Sequence, residues 1–577
     1  MGQKRRGPPD GHDYYDLSSK HVSACKRIRV GPRVTLCDFS DEILLKILAF
    51  LHPRQLLCIE RVSQRLRRLA ADTEIWRLKY FDQWIFARLP GLRARPRRSQ
   101  DASVRPHIGI RLPGQAAVMT SSLIDWKRMY QVRRNWDQGL ARLQEIKVAP
   151  PASPPVLAAV CRGLIFTADG RHGLRVWSKQ DGRKQLLDQT ALDEKVTPLS
   201  LAADASKGKY TVAVGYADRR IDLYWFRGLT GFLKLAEFTT PTGSGVVAVE
   251  IMWPYVLDIT REAHVHLHRV RPTPREDPGK PSVMSTTLQP IAPVNIAAIS
   301  LRRTAATVIA SITYAFQHFN GGLCIGLHEM RVSRVVNEAS GHPSSTPSHP
   351  SSTPSGHPSS TPSHPSSTPS GHPSSTPSDH PSSTLDTSPD VQTAEWNDRR
   401  DWRVTSRETS SSPLLSPFAP SPLITSLPSS LSYSHPYLLA CLPDNTMMAY
   451  LVTSNDDKLE MSAGRRLWGH TSAISRAAVT HKGRAVSVSA RGNDVRVWEL
   501  EDELLLPNRA KTSTAVTPIN TTATMSTRAK GQGLGLTLQE LRHTLALTQH
   551  WVGFDDEQIV VMCERDQSQF MACYDFM

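Results

Sequence analysis

Between Asp41 and Leu51 the apolar residues Ile43, Leu44, Ile47, Leu48 and Leu51 recur at helical spacing. This predicts an amphipathic helix with Ser40 at its N-cap and the carboxylates of Asp41 and Glu42 against its positive end. His52-Pro53 stops it, because the residue before proline is pushed out of the α region. A second short helix carries Leu56, Leu57 and Ile59. A third sets Val62, Leu66, Leu69 and Ala70 on one face and Arg65, Arg67 and Arg68 on the other, and Ile75 and Trp76 close the unit. Three helices within residues 36–85 make a core too small to be robust alone, so a partner or neighbouring domain is expected.

Residues 86–145 follow as a basic, proline-containing linker and then a connector helix bearing Leu123, Trp126, Met129 and Tyr130, which ends at Asn135-Trp136 and Gly139. From about residue 155 to the end the pattern changes. Short apolar runs such as L-I-F-T-A, Y-T-V-A-V-G, H-V-H-L-H-R-V and T-V-I-A-S-I alternate with turn residues, and no long helical period appears. Many closely spaced strands of this kind predict an all-β sandwich, barrel or propeller. Two insertions interrupt them. Within 337–431 the motif H-P-S-S-T occurs six times, starting at His342, His349, His357, His364, His372 and His380. Proline withholds backbone donors and Ser/Thr supply no core, so this tract is expected to be disordered, as is the Thr-rich stretch 508–535.

Charge is concentrated in the N-terminal quarter. The net charge of +16 divides into +5 for residues 1–35, +1 for 36–85 and +8 for 86–140, which leaves +2 for everything beyond. Lys4, Arg5, Arg6, Lys26, Arg27 and Arg29 in the basic arm 1–35 read as nuclear-import or acidic-partner contacts, or as a solvated arm. Basicity confined to such segments disfavours a nucleic-acid-binding face, which would spread over a folded surface. The eight cysteines form no C-x-x-C pair and sit mostly in apolar runs, so neither disulfides nor a metal site is supported and a reducing compartment, nucleus or cytoplasm, is expected. No apolar run is long enough to span a membrane. No phosphate-binding loop, zinc-protease helix or nucleophile elbow occurs in a supporting context, so no catalytic residue and no cofactor is expected.

The segment from Phe39 to Trp76 resembles the F-box along its whole length, with an acidic pair before the stripe, a proline stop, the double leucine Leu56-Leu57, Val62-Ser63 and the terminal Trp76. Phe39-Ser40 stands where the family has Leu-Pro. The resemblance implies docking on the Skp adaptor, and through it on a cullin-RING ligase, by Phe39, Ile43, Leu44, Ile47, Leu48, Leu51, Leu56, Leu57, Val62 and Trp76. Gly469 to Trp498 resembles a WD repeat, with a Gly-His opening and a closing V-R-V-W. In that family a His, a Ser/Thr, a turn Asp and the Trp form a buried hydrogen-bond chain, which implies such roles for His470, Ser489 and Trp498. Asp494 lies nearer the Trp than the family's turn Asp, and this predicts an altered network. Trp177 closes a second partial repeat. A third has Asp218 at the usual distance, with Tyr224 in place of Trp.

The expected fold is therefore α+β and multidomain. A three-helix F-box at 36–85 precedes a WD-repeat-like β-propeller at 155–577, with seven blades near 157–179, 196–228, 232–270, 289–331, 432–454, 465–500 and 548–577. F-box/WD-repeat proteins are substrate-recognition adaptors of SCF-type ubiquitin ligases. The resemblance thus implies a non-catalytic subunit whose propeller binds an unidentified protein client. The rival reading is a WD-repeat scaffold or nuclear assembly protein whose F-box is not used in a ligase.

Overall fold

The computed structural model describes residues 36–85, 124–150, 155–271, 282–288, 297–334, 402–410, 426–505, 513–519 and 547–577, apart from single positions and the short turns 305–306 and 318–322 within these spans. The basic arm 1–35 and the H-P-S-S-T repeats lie outside the described residues. The chain forms two compact units, one ending at Tyr130 and one comprising chiefly Gln131–Met577.

The first unit holds α1 (Asp41–Phe50), α2 (Pro53–Ile59), α3 (Gln64–Ala70) and α4 (Thr73–Tyr80), followed by a single wide turn at Phe81–Ile85. Four helices stand where three are expected, because Ile75 and Trp76 do not merely close the unit but lie on α4. Asp72 caps that helix, its Oδ1 accepting from the backbone N–H of Glu74 at 3.0 Å and of Ile75 at 3.2 Å. Ser40 occupies the N-cap of α1 without a side-chain cap bond. The Glu42 carboxyl is held below the usual range by its own backbone N–H and by the Ser40 hydroxyl. Leu44, Leu48, Leu56, Leu69, Ala70, Ile75, Trp76 and Trp84 form the core, joined by Trp126 and Tyr130 from the first turns of α5 (Trp126–Gln138). The indole N–H of the buried Trp76 donates to the Ala70 carbonyl at 2.8 Å, so the ring fills the core without orphaning its donor.

The second unit is a propeller of seven antiparallel sheets. Blade 1 is β2–β5 (Leu157–Thr190), blade 2 is β6–β9 (Pro198–Thr239) and blade 3 is β10–β13 (Val246–Leu288). Blade 4 is β14–β17 (Ala297–Ser410) and blade 5 is β18–β22 (Ser430–Trp468), in which β21 and β22 share the flank of β20. Blade 6 is β23–β26 (Ile474–Ala515). Blade 7 takes β28 (Thr548–Phe554), β29 (Gln558–Arg565) and β30 (Ser568–Asp575) from the C-terminus, and its fourth strand is β1 (Leu140–Ala149), in register from Arg142↔Asp575 to Ala149↔Gln569. Sequence-distant ends thus close the ring, and the propeller begins at Leu140 rather than at 155. Residues 140–145 are strand, not linker. Gly139 makes the turn into β1 at φ +66°, and a Cβ there would stand 2.1 Å from the Ala515 carbonyl, so only glycine fits. Beside it Trp136 stacks on Phe576, with ring centroids 3.9 Å apart, and donates to the Asp556 carbonyl at 3.0 Å.

Two stretches expected to be disordered contain strands. Trp402–Ser410, inside 337–431, is β17, which closes blade 4 by pairing with β16 (Leu323–Arg334) from Arg334↔Trp402 to Gly326↔Ser410. Thr514–Ala515 and Thr517–Pro518, inside 508–535, are β26 and β27. The first of these makes a prediction possible. A protease site engineered into 341–384 and cut to completion should leave the two fragments co-eluting on size exclusion, since β16 and β17 hold each other across the nick. Release of the C-terminal fragment would contradict the strand pairing.

Candidate interaction surfaces and the pins of the propeller

α1 carries two apolar faces, not one. Leu44 and Leu48 point into the helical core, whereas Ile43 (45 % exposed) and Ile47 (39 %) point outward. Phe39, Leu57 and Val62 are likewise exposed. The ten residues assigned to adaptor docking therefore divide. Phe39, Ile43, Ile47, Leu57 and Val62 are accessible and Leu51 is half-buried. Leu44, Leu48, Leu56 and Trp76 are interior residues that a partner could reach only if the unit opened, so their assignment to docking is corrected to core packing. Three exposed apolar side chains escaped the sequence reading: Leu36, Leu78 and Phe50, the last 81 % exposed at the end of α1.

The start of this surface is held by charge. Arg65 donates from Nη2 to Asp41 Oδ1 at 2.6 Å and to the Phe39 carbonyl at 2.7 Å, and Arg68 bonds the other Asp41 oxygen at 2.7 Å. Arg65 and Arg68 keep the Asp41 carboxyl below its ordinary range. Arg65 thus ties Phe39 and the start of α1 to α3, and Arg68 holds Asp41 from the same helix.

In the propeller, each pin uses its own chemistry. In blade 6 the His470 ring bridges Asp494 Oδ2 (2.9 Å from Nδ1) and the Ser487 hydroxyl (2.6 Å from Nε2), and the Trp498 indole donates to the same hydroxyl at 2.8 Å. The chain His–Ser–Trp with its Asp is therefore complete, but its hydroxyl belongs to Ser487. Ser489, the residue expected there, instead donates to the Arg491 carbonyl at 2.9 Å. Asp494 takes its place despite the short spacing, held ionised against the cost of burial by His470 and Arg496. Blade 1 repeats the Trp–hydroxyl pair, Trp177 donating to Thr167 Oγ1 at 2.9 Å. In blade 2 Asp218 lies exposed in the turn and accepts only from its neighbourhood, the Arg220 N–H at 3.2 Å. The buried acid is Asp222, whose Oδ2 accepts from Tyr216 at 3.1 Å and Tyr224 at 3.3 Å. Blade 3 joins Asp258 to His266 and His268, and blade 4 centres on Glu329, which bonds Arg302 at 3.0 Å and Ser454 at 2.6 Å. Only a cross-strand register locates such residues.

The pins set stabilities that can be measured. Ser487→Ala leaves both the His470 nitrogen and the Trp498 N–H without a partner inside the sheet and should cost about 2–4 kcal/mol, one desolvation penalty for each. Ser489→Ala should cost about 1 kcal/mol or less, since one hydrogen bond to a turn carbonyl is removed. Equal denaturation midpoints for the two variants would refute the assignment.

Burial pushes the thiols of Cys441, Cys563 and Cys573 up to about 12, so at neutral pH they are protonated small hydrophobes. Among the described residues, the cysteines form no disulfide and no helix is long and apolar enough to cross a membrane.

A family model for the F-box protein pof12 β-propeller matches residues 141–577, and an F-box-like model matches residues 41–82. The chain belongs to the pof12-type F-box propeller family. F-box domains generally bind the Skp adaptor of cullin-RING ligases, and an F-box joined to a propeller is the arrangement typical of non-catalytic adaptors. Among solved structures, the chain is similar to the WD40 β-propeller domain of Doa1 (10 % identity, 75 % of this chain and 97 % of that chain, TM-score 0.32). It is similar also to Sqt1 of Saccharomyces cerevisiae (6 %, 75 % and 98 %, TM-score 0.38) and to YCF48 bound to D1 peptide (8 %, 75 % and 96 %, TM-score 0.35). No curated protein matches this F-box propeller chain in sequence.

Proposed function

We propose that the chain is the substrate-recognition adaptor of an SCF-type ubiquitin-protein ligase, with the F-box unit docking on the Skp adaptor and the propeller holding a protein client. The observation that carries this reading is the outward apolar face of Phe39, Ile43, Ile47, Leu57 and Val62 on a unit whose own core is already closed by Leu44, Leu48, Leu56 and Trp76. Several apolar side chains that a small domain leaves in water, with the ion pairs of Asp41 to Arg65 and Arg68 beside Phe39, support a protein-docking role. The ligase then works by tethering. Client and ubiquitin-conjugating enzyme are held at raised effective concentration, and no bond is made or broken by this chain.

Affinity purification of the full chain with the proteasome inhibited tests the reading. Recovery of the Skp adaptor together with a cullin supports it. Recovery of the adaptor without a cullin favours a propeller scaffold outside any ligase, and nucleic acid retained in a salt-sensitive way would replace both.

A further inference from the structure

In blade 3 the tryptophan and hydroxyl of the usual pin are both replaced. Trp498 pairs across the strands with Ala485, and Ser487 pairs with Arg496. The matching pairs in blade 3 are His268 with Val256, and Asp258 with His266. A carboxylate thus stands where blade 6 has its serine, and imidazoles stand in place of Trp498 and Arg496. All three side chains are completely buried. His266 Nδ1 lies 3.0 Å from Asp258 Oδ2, and His268 Nε2 lies 2.5 Å from Asp258 Oδ1. One donor atom from each residue falls within 4.8 Å of the others.

We propose that Asp258, His266 and His268 bind a divalent transition-metal ion of the zinc class inside blade 3. The donor set is right, two imidazoles and a carboxylate being a common ligand combination for zinc. With both carboxylate oxygens facing the nitrogens, three side chains offer four donors. The outer nitrogens are also in order. His266 Nε2 lies 2.9 Å from Thr242 Oγ1 and His268 Nδ1 lies 2.7 Å from Ser285 Oγ. In the tautomer where each hydroxyl accepts the outer N–H, the inner lone pair is turned toward the ion, which is how ligating histidines are usually oriented. Charge argues the same way. Asp258 is a buried carboxylate whose ion-pair partners, among the described residues, are these two imidazoles and no lysine or arginine. A buried carboxylate without a lysine or arginine partner is costly, and a dication bound beside it relieves that cost. Thr242, which meets the outer nitrogen of His266, is itself exposed, between Thr239 at the end of β9 and Val246 at the start of β10. Metal bonds of about 2.0–2.2 Å to each donor require the imidazoles to draw back from the carboxylate by less than about 1 Å.

The full chain, purified without chelator and incubated with excess zinc, is desalted and analysed for metal by mass spectrometry. About one equivalent per chain is expected, with its removal by dipicolinate lowering Tm by several degrees and re-addition restoring it. Asp258→Asn and His268→Gln should each lose the equivalent. The histidines of the H-P-S-S-T repeats remain in both variants, so metal that persists in them belongs to the repeats and overturns the proposal. Less than about 0.1 equivalent in the wild type, or a Tm that chelation does not move, overturns it as well. Should both variants fail to fold, the zinc-edge absorption spectrum of the wild-type chain decides. Two imidazoles with oxygen donors support the site, and three or more imidazoles reject it.

Discussion

Changing Ile43 and Ile47 together to Asp should abolish recovery of the Skp adaptor while the helical unit and the propeller keep their stability. Both residues are exposed, at 45 % and 39 %, and lie outside the core, so a charge there costs the folded chain less than one at Leu44 or Leu48. At an interface centre each would instead put an unpaired carboxylate against apolar surface. Truncating one buried apolar anchor commonly costs about 2 kcal/mol or more, roughly thirtyfold in affinity, and two charged replacements should exceed that severalfold. Quantitative pull-down, with circular dichroism as the fold control, reads the result. The informative comparison is Leu44→Ala with Leu48→Ala. Each removes a buried leucine at about 2–5 kcal/mol, enough to unfold a four-helix unit of this size. That pair should also lose the adaptor, but through loss of structure. Undiminished adaptor binding by the Ile43/Ile47 variant would end the ligase reading and leave the scaffold.

The second large effect concerns the closure of the propeller. A chain starting at residue 131 should melt cooperatively, and one starting at 155 should not. The shorter chain lacks β1, so β30 has an open edge from Gln569 to Asp575. It also lacks Trp136, Ala141, Val148 and Ala149, which pack into the clusters around Phe576 and Trp177. An unpaired central strand beside an unfilled core is both unstable and prone to pair with another chain. Matching thermal transitions for the two chains would show that β1 is dispensable.

Where sequence and structure part company, the reason is geometric. Strands at the middle of each blade announced themselves, because Leu164–Asp169 and Tyr255–Thr260 are buried at every position and read as apolar runs. The outer strands did not. β5 reads R-K-Q-L-L-D-Q-T and β17 reads W-R-V-T-S-R-E-T-S, sequences whose pairing with an inner neighbour supplies order that composition does not advertise. β1 was concealed further by distance, since its partner lies more than 400 residues away. In the F-box unit, neighbours along α1 turn by about 100° per residue, so Ile43/Ile47 and Leu44/Leu48 form two adjacent stripes that spacing alone merges into one. Ser487 and Ser489 share a face of β24 (Arg484–Ser489), and only the register with Trp498 separates them. Asp258 and His266 meet in the same manner, across strands.

The pairing of Arg334 with Trp402 means that 67 residues leave and re-enter blade 4 at one point of the sheet. The free energy of holding two ends together rises only with the logarithm of what lies between them. Adding one more repeat of seven or eight residues to those 67 would cost about 0.1 kcal/mol, far below what the propeller could register. Copy number in this tract is therefore free to drift by replication slippage, and alleles of different length should fold alike. Selection on the tract, where it exists, must act on something other than stability.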